Sequence, residues 1–109
     1  IDYIYAHLDC PRLRFCYDSG HEACFSLTRL ALAKYRNRLA ALHLHDNYGV
    51  YNQDSHLLPG QGTGVDWDYV RKYLEDYEGV ISLEVKRDTT IPAEEFYAKA
   101  FEAAKFVKA

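Results

Sequence analysis

The sequence predicts an α/β fold built on a parallel sheet, and three observations carry that expectation. Three apolar runs have the length of a strand: Leu13 to Tyr17, Leu39 to Leu44 and Val80 to Val85. Their apolar density suits strands buried on both faces, as in parallel sheets. Segments with apolar residues at helical spacing lie between and after them, and strands alternating with helices imply right-handed βαβ crossovers. The composition agrees: 109 residues, 49% hydrophobic and 27% charged, with both signs interspersed, support one modest core and argue against disorder.

The elements follow in the order β, α, β, long loop, α, β, α. After the first strand, Ser26 offers a cap for a helix with Leu27, Leu30, Ala31 and Lys34/Tyr35 at helical spacing. The second strand leads into a loop from Asn47 to Gly64, long enough to suggest a function. Asp66 then caps a helix that places Trp67, Val70, Tyr73, Leu74 and Tyr77 on one face. The third strand precedes a last helix, opened by Thr90 with Pro92 in its first turn, that carries Phe96, Ala100, Ala103 and Val107. Two architectures fit this order: an open doubly wound sheet or a piece of a β/α barrel. No Gly-x-Gly-x-x-Gly turn links strand to helix, which argues against a dinucleotide fold.

Cys10, Cys16 and Cys24 are an odd set with no Cys-x-x-Cys pair, so a disulfide framework is not expected and a reducing, cytoplasmic setting is. No run approaches the ~20 apolar residues of a membrane span, which predicts a soluble protein with no membrane partner. The chain has no methionine and opens abruptly at Ile1, so it reads as a fragment of something longer.

Strand side chains alternate, and residues two apart share a face. Arg14, Cys16 and Asp18 face one way in the first strand, Ala41, His43 and His45 in the second, Val80, Ser82 and Glu84 in the third. The opposite faces are aliphatic or aromatic throughout, suited to packing under helices. Each polar face therefore delivers its last residue to one rim, and the carboxyl edge is where parallel α/β folds gather catalytic groups. Asp18, His43 or His45, and Glu84 are ligand types that suit zinc, manganese, cobalt or iron.

His21 follows Asp18 by three positions, across a glycine that permits a tight turn. In the long loop, the alternation Asp54-Ser55-His56 lets two more ligands reach one point. The glycines after Pro59, Gly60 and Gly62 among them, have backbone amides that could cradle a phosphate.

Tyr17-Asp18-Ser19-Gly20-His21, His43-Leu44-His45-Asp46-Asn47, Asp54-Ser55-His56 with Pro59-Gly60-Gln61-Gly62, and Leu83-Glu84-Val85 together resemble the xylose-isomerase-like barrel superfamily. That group includes endonuclease IV and the sugar (phosphate) isomerases and epimerases. The resemblance covers nearly the whole chain and implies a TIM barrel, (β/α)8, of which residues 1–109 supply a single C-terminal portion: three parallel strands with flanking helices. It implies a divalent metal (Zn, Mn, Co or Mg) held by Asp18, Glu84 and a histidine of the second strand. His45 matches the epimerase-like members, whereas His43 with Asp46 resembles the endonuclease IV pattern; His45, nearer the rim, is favoured. His21 matches a position that binds substrate in the epimerases and a further metal in endonuclease IV, and Asp54 and His56 match that further metal's ligands. The sequence departs from the epimerases in lacking an arginine between Asn47 and Gln53, and from endonuclease IV in having Gln61 where that enzyme has a glutamate.

The activity implied for the intact protein is isomerisation or epimerisation of a sugar, sugar phosphate or cyclitol by proton transfer through an enediolate. Glu84 and His21 are its candidate catalytic residues, and His21, Gly60 and Gly62 its candidate substrate contacts. The alternative is phosphodiester hydrolysis at abasic DNA sites; a net charge of −3 disfavours it, because neutralising phosphates calls for a basic surface. A further alternative is a non-catalytic barrel fragment that self-associates, since three strands leave open sheet edges. The expected partners are accordingly a small sugar-type molecule and either further copies of the chain or the missing N-terminal half of the barrel.

Overall fold

A computed structural model describes residues 1–109. Helix α1 (Asp2–His7) precedes strand β1 (Phe15–Asp18), helix α2 (Ser19–Phe25) and helix α3 (Ala31–Tyr35). A 3₁₀ turn (Arg36–Arg38) leads into strand β2 (Leu39–His43), and helices α4 (Trp67–Leu74) and α5 (Ala93–Lys108) complete the chain.

The two strands pair in parallel, with Cys16 opposite Ala41, Tyr17 opposite Leu42 and Asp18 opposite His43. β1 sorts its faces as the sequence predicts, whereas β2 does so only from Ala41 onward: Leu39 is buried and Ala40 exposed, because the register slips by one residue between Phe15 and Cys16. Phe15, Tyr17, Leu42 and Leu44 are buried and join Leu32, Leu39, Trp67, Val70, Leu74 and Val107 in the main core. Cys16, Ala41 and His43 on the other face are exposed. Fully burying an aliphatic or aromatic side chain contributes roughly 1.5–3 kcal/mol, so this one layer holds the sheet to α3, α4 and α5. A smaller cluster of Leu58, Phe96 and Ala103 seats the end of the long loop on α5.

The third predicted strand is reduced to one parallel bridge, Leu44 to Leu83. The Leu44 amide donates to the Ser82 carbonyl at 2.9 Å, and the Glu84 amide donates to the Leu44 carbonyl at 3.0 Å. The ladder stops there because its next partners are diverted. Asp46 exchanges both backbone bonds with Leu57, and the Glu84 carbonyl accepts from His56 Nδ1. Val80, 78% exposed, has no neighbouring element to bury it. Expecting a full strand buried on both faces is corrected accordingly.

The helix expected from Ser26 begins only at Ala31, after Arg29 adopts a positive φ of 51°. The chain turns helical earlier, at Ser19, where the Asp18 carboxylate accepts the His21 amide at 2.9 Å and caps α2. Asp66 caps α4 as expected, accepting the Tyr69 amide at 3.0 Å. The last helix starts at Ala93 after Pro92, while Thr90 belongs to a turn on Asp88. Helix α1, absent from the sequence reading, buries no residue and is tied to α3 through Asp2, which bonds Lys34 and Tyr35. No helix is long and apolar enough to cross a membrane.

Candidate metal centre

Six ionisable side chains converge where β1, β2 and the Leu83 segment end. Asp18 comes from the last position of β1, and His21 from the first turn of the helix it caps. His45 lies two residues beyond β2, Asp54 and His56 on the long loop, and Glu84 beside the Leu44 bridge. Two overlapping sets have ligand atoms all within 4.8 Å of one another: Asp18, His21, His45 and Glu84, and His21, His45, Asp54 and His56.

His45 sits at the centre and is fully buried. Its Nε2 is 2.9 Å from Asp18 Oδ1 and 3.9 Å from Glu84 Oε2, and its Nδ1 is 3.9 Å from Asp54 Oδ1. The His56 ring stacks on it at 3.9 Å between centroids, 4° from parallel, and the His21 ring meets it edge-on at 5.0 Å. Two neighbours hold it in place. Ser19 Oγ donates to the His45 carbonyl at 2.8 Å and accepts the His45 amide at 3.0 Å. Gly20 leaves the space the ring occupies: a Cβ there would lie 2.1 Å from His45 Cε1. Sequence reasoning used the Asp18-Ser19-Gly20-His21 motif without seeing either role.

The other imidazoles face acceptors on both sides. His21 Nδ1 is 2.7 Å from Asp18 Oδ2 and its Nε2 is 3.0 Å from Asp54 Oδ2. His56 Nδ1 donates to the Glu84 carbonyl at 2.6 Å, which turns Nε2 towards Asp54 Oδ2 at 3.0 Å. A neutral imidazole has one N–H and one lone pair, so the two acceptors on the His56 ring favour its positively charged form. Although burial works the other way on each, the pKa values follow this pattern. His45 and the His21 amide hold Asp18 below the usual carboxylate range, and His21 and His56 do the same for Asp54. The Glu84 carbonyl and Asp54 raise His56 above 6.5. His56 also adopts a positive φ of 49°, a conformation that costs a β-carbon residue of order 1 kcal/mol and often marks a functional position.

The test of fit to a metal lies in two orphans. His45 Nδ1 and Glu84 Oε2 are buried side-chain atoms with no hydrogen-bond partner. Both are lone-pair carriers, and buried polar groups without partners are costly in folded proteins. Three imidazoles and three carboxylates, with an unpartnered acceptor on one of each, form a donor set that could hold a divalent cation.

His43 belongs to neither set. Half exposed, it flanks the cluster with Nδ1 3.8 Å from Asp18 and 3.7 Å from Glu84. Asp46 is turned away from the cluster and fully buried. It accepts from the amides of Asn47, Gly60, Gly62 and Val65 and from Trp67 Nε1, at 2.8 to 3.4 Å. This corrects the reading of Gly60 and Gly62 as a phosphate cradle, because their N–H groups already bind Asp46. Gly62 also packs against the Asn47 carbonyl, where a Cβ would fall 2.0 Å away. A groove of about 560 Å³ along α5 between Leu58 and Phe106 contains none of the cluster.

Residues 1–107 match the family described as xylose isomerase-like TIM barrel, and the chain belongs to that family. Its parallel strands and flanking helices fit part of such a barrel. Among curated proteins, the uncharacterized protein y4fM of Sinorhizobium fredii is 36% identical over 85 residues, which cover 75% of this chain and 26% of the relative. The chain thus spans about a quarter of the length of that relative. No solved structure matches.

Proposed function

We propose that this chain carries most of the divalent-metal centre of a cytoplasmic sugar (phosphate) isomerase or epimerase, the activity residing in a longer protein. The observation that carries this reading is the pair of orphaned buried atoms, His45 Nδ1 and Glu84 Oε2, inside a cluster of imidazoles and carboxylates. Asp18, His21, His45 and Glu84 are the residues that would hold the ion. A bound divalent ion polarises carbonyl and hydroxyl oxygens and makes the neighbouring C–H more acidic.

The chain's own groups do the rest. Glu84 Oε2 is the oxygen that faces His45 and the ion site, and the other oxygen of this partly exposed carboxylate is the base that would accept the proton from the carbon next to the substrate carbonyl. His45 is fixed by Ser19, Gly20 and the His56 ring, so its imidazole stays directed into the cluster. His21, 42% exposed at the mouth of the cluster, is placed to meet substrate hydroxyls. Asp54 holds His21 and His56 in register across the opening.

Cobalt(II) titration tests the centre directly. One equivalent is expected to develop the visible absorption of an imidazole–carboxylate site, and Glu84→Gln is expected to weaken binding. In the intact protein the same substitution should abolish solvent-hydrogen exchange into the sugar, and full activity in that variant would overturn the reading.

One observation favours a second reading. The set His21, His45, Asp54 and His56 offers ligands for a further ion, as phosphodiester hydrolysis calls for. A net charge of −3 weighs against it. DNA binding that falls steeply with salt would support that reading, and no binding at low salt would end it.

A further inference from the structure

Two cavities meet at His56 and Lys86. One opens on the metal cluster and is walled by His56, Glu84 and Lys86. The other, about 240 Å³, runs from His56 and Ser55 past Gln61 to Lys86, Arg87 and Lys99. A molecule with one end at Glu84 and His56 therefore has its other end among these cations.

Their charge is available. Elsewhere Lys34 is paired with Asp2, Arg36 with Asp76, Arg71 with Asp68 and Lys105 with Glu102. Arg29 and Lys108 bind backbone carbonyls. Lys86 and Arg87 have no carboxylate or carbonyl partner for their side chains, and only Lys99 is shared, with Glu95 at 3.2 Å. The one acid lining this cavity, Asp88, directs Oδ1 to the amide and hydroxyl of Thr90; it lies near enough to feel the charges of Lys99 and Arg87 but forms an ion pair with neither. In a chain of net charge −3, two consecutive cations that line one cavity and belong to no ion pair make a local field that favours anions.

The backbone fixes the spacing between cations and metal cluster. The Lys86 amide donates to the His56 carbonyl at 2.8 Å, and His56 Nδ1 donates to the Glu84 carbonyl at 2.6 Å. His56 is thus stitched on both sides to the segment that carries Glu84, Lys86 and Arg87. Arginine offers a planar fork of donors to a phosphate and lysine a point charge, the usual pairing for a terminal phosphoryl group.

We propose that the substrate of this centre is a phosphorylated sugar whose phosphate monoester is held by Lys86 and Arg87 in the cavity beside His56. The assignment of the reacting end rests on the metal-centre reading above; the phosphate subsite rests on the cavity and its cations alone.

The experiment has three arms, run on the wild-type chain and on K86Q/R87Q, both substitutions being at exposed positions. Inorganic phosphate is titrated against the metal-free chain, and the variant is expected to bind it roughly tenfold or more weakly, as loss of two charge-assisted contacts implies. Fructose 6-phosphate and fructose are compared on the cobalt-loaded chain. The wild type is expected to prefer the phosphorylated sugar, and the variant to lose that preference. Cobalt(II) affinity is expected to be the same in both. Unchanged phosphate affinity in the variant, or equal affinity of the wild type for the two sugars, overturns the proposal. Tighter binding of a short DNA duplex than of fructose 6-phosphate overturns it in favour of a phosphodiester. Failure of the wild type to bind cobalt overturns the metal reading instead, and the inorganic-phosphate arm still decides the subsite.

Discussion

His45 and Asp46 are consecutive residues, both fully buried, and their side chains meet opposite circumstances. The Asp46 carboxylate is surrounded by donors that come to it from Asn47, Gly60, Gly62, Val65 and Trp67. The His45 ring is surrounded by other lone-pair carriers, and its Nδ1 has no partner. A buried polar group with all its bonds made stabilises a fold, whereas one left open costs stability and is retained where it binds something. The difference separates a structural hub from a site, within a single peptide unit.

The comparison is broken most severely at Asp46. Asp46→Ala leaves several buried donors without an acceptor, each costing ~1–3 kcal/mol, so a loss of roughly 3–5 kcal/mol is expected in urea unfolding. Retained stability with lost cobalt binding would show that Asp46 had been assigned to the wrong region. His45→Ala should do the reverse: metal affinity falls by roughly a hundredfold, and the metal-free chain loses far less stability than with Asp46→Ala.

Gly20→Ala probes the boundary between the two. The new Cβ meets the His45 ring, and overpacking of this kind costs ~1–3 kcal/mol while displacing a ligand. Cobalt affinity and unfolding midpoint should therefore fall together.

A pH series sharpens the contrast without mutation. His56 has a folded pKa raised above 6.5, so its contribution is complete below 6.5 and is lost as pH rises through the raised value. Asp18 and Asp54 have folded pKa values below 3.8, so theirs is complete above 3.8 and is lost as pH falls through the lowered values. The metal-free chain should be most stable in mild acid between those limits. Saturating metal should move the optimum towards neutral pH, because the ligands bind in deprotonated form. The smallest effect is expected away from both regions: Asp66→Ala removes the α4 cap for about 1 kcal/mol and leaves cobalt binding unchanged.

Period-two patterning made the strand faces legible, and with them Asp18, His45 and Glu84 at one rim. The capping signal of Asp66 was equally local and equally readable. Helix α2 was not, because Ser19 and Gly20 are weak helix formers. The helix starts there because Asp18 caps it locally, as Asp66 caps α4, and because His45 fills the space above Gly20, which is a fact of tertiary contact. The run Val80 to Val85 reads as a strand by composition, yet its pairing ends where Asp46 turns to Leu57. Asp46 itself gave little warning, since its donors other than Asn47 lie 14 to 21 positions further along the chain. Helix α1 buries nothing, so no apolar stripe announced it.

The hub at Asp46 also bears on how the molecule opens. The stretch from Asn47 to Gly64 contains no helix or strand, and irregular surface segments usually exchange their amide hydrogens quickly. Here the amides of Gly60, Gly62 and Val65 share one acceptor with the Trp67 indole, while those of Thr63 and Gly64 share the Asn47 carbonyl. None of these protons can be released alone without leaving the others' anchor strained. The amides of Gly60 and of residues 62–65 should exchange as one cooperative unit, slow and with a common opening free energy, so that this end of a loop by shape would behave as part of the core by timescale.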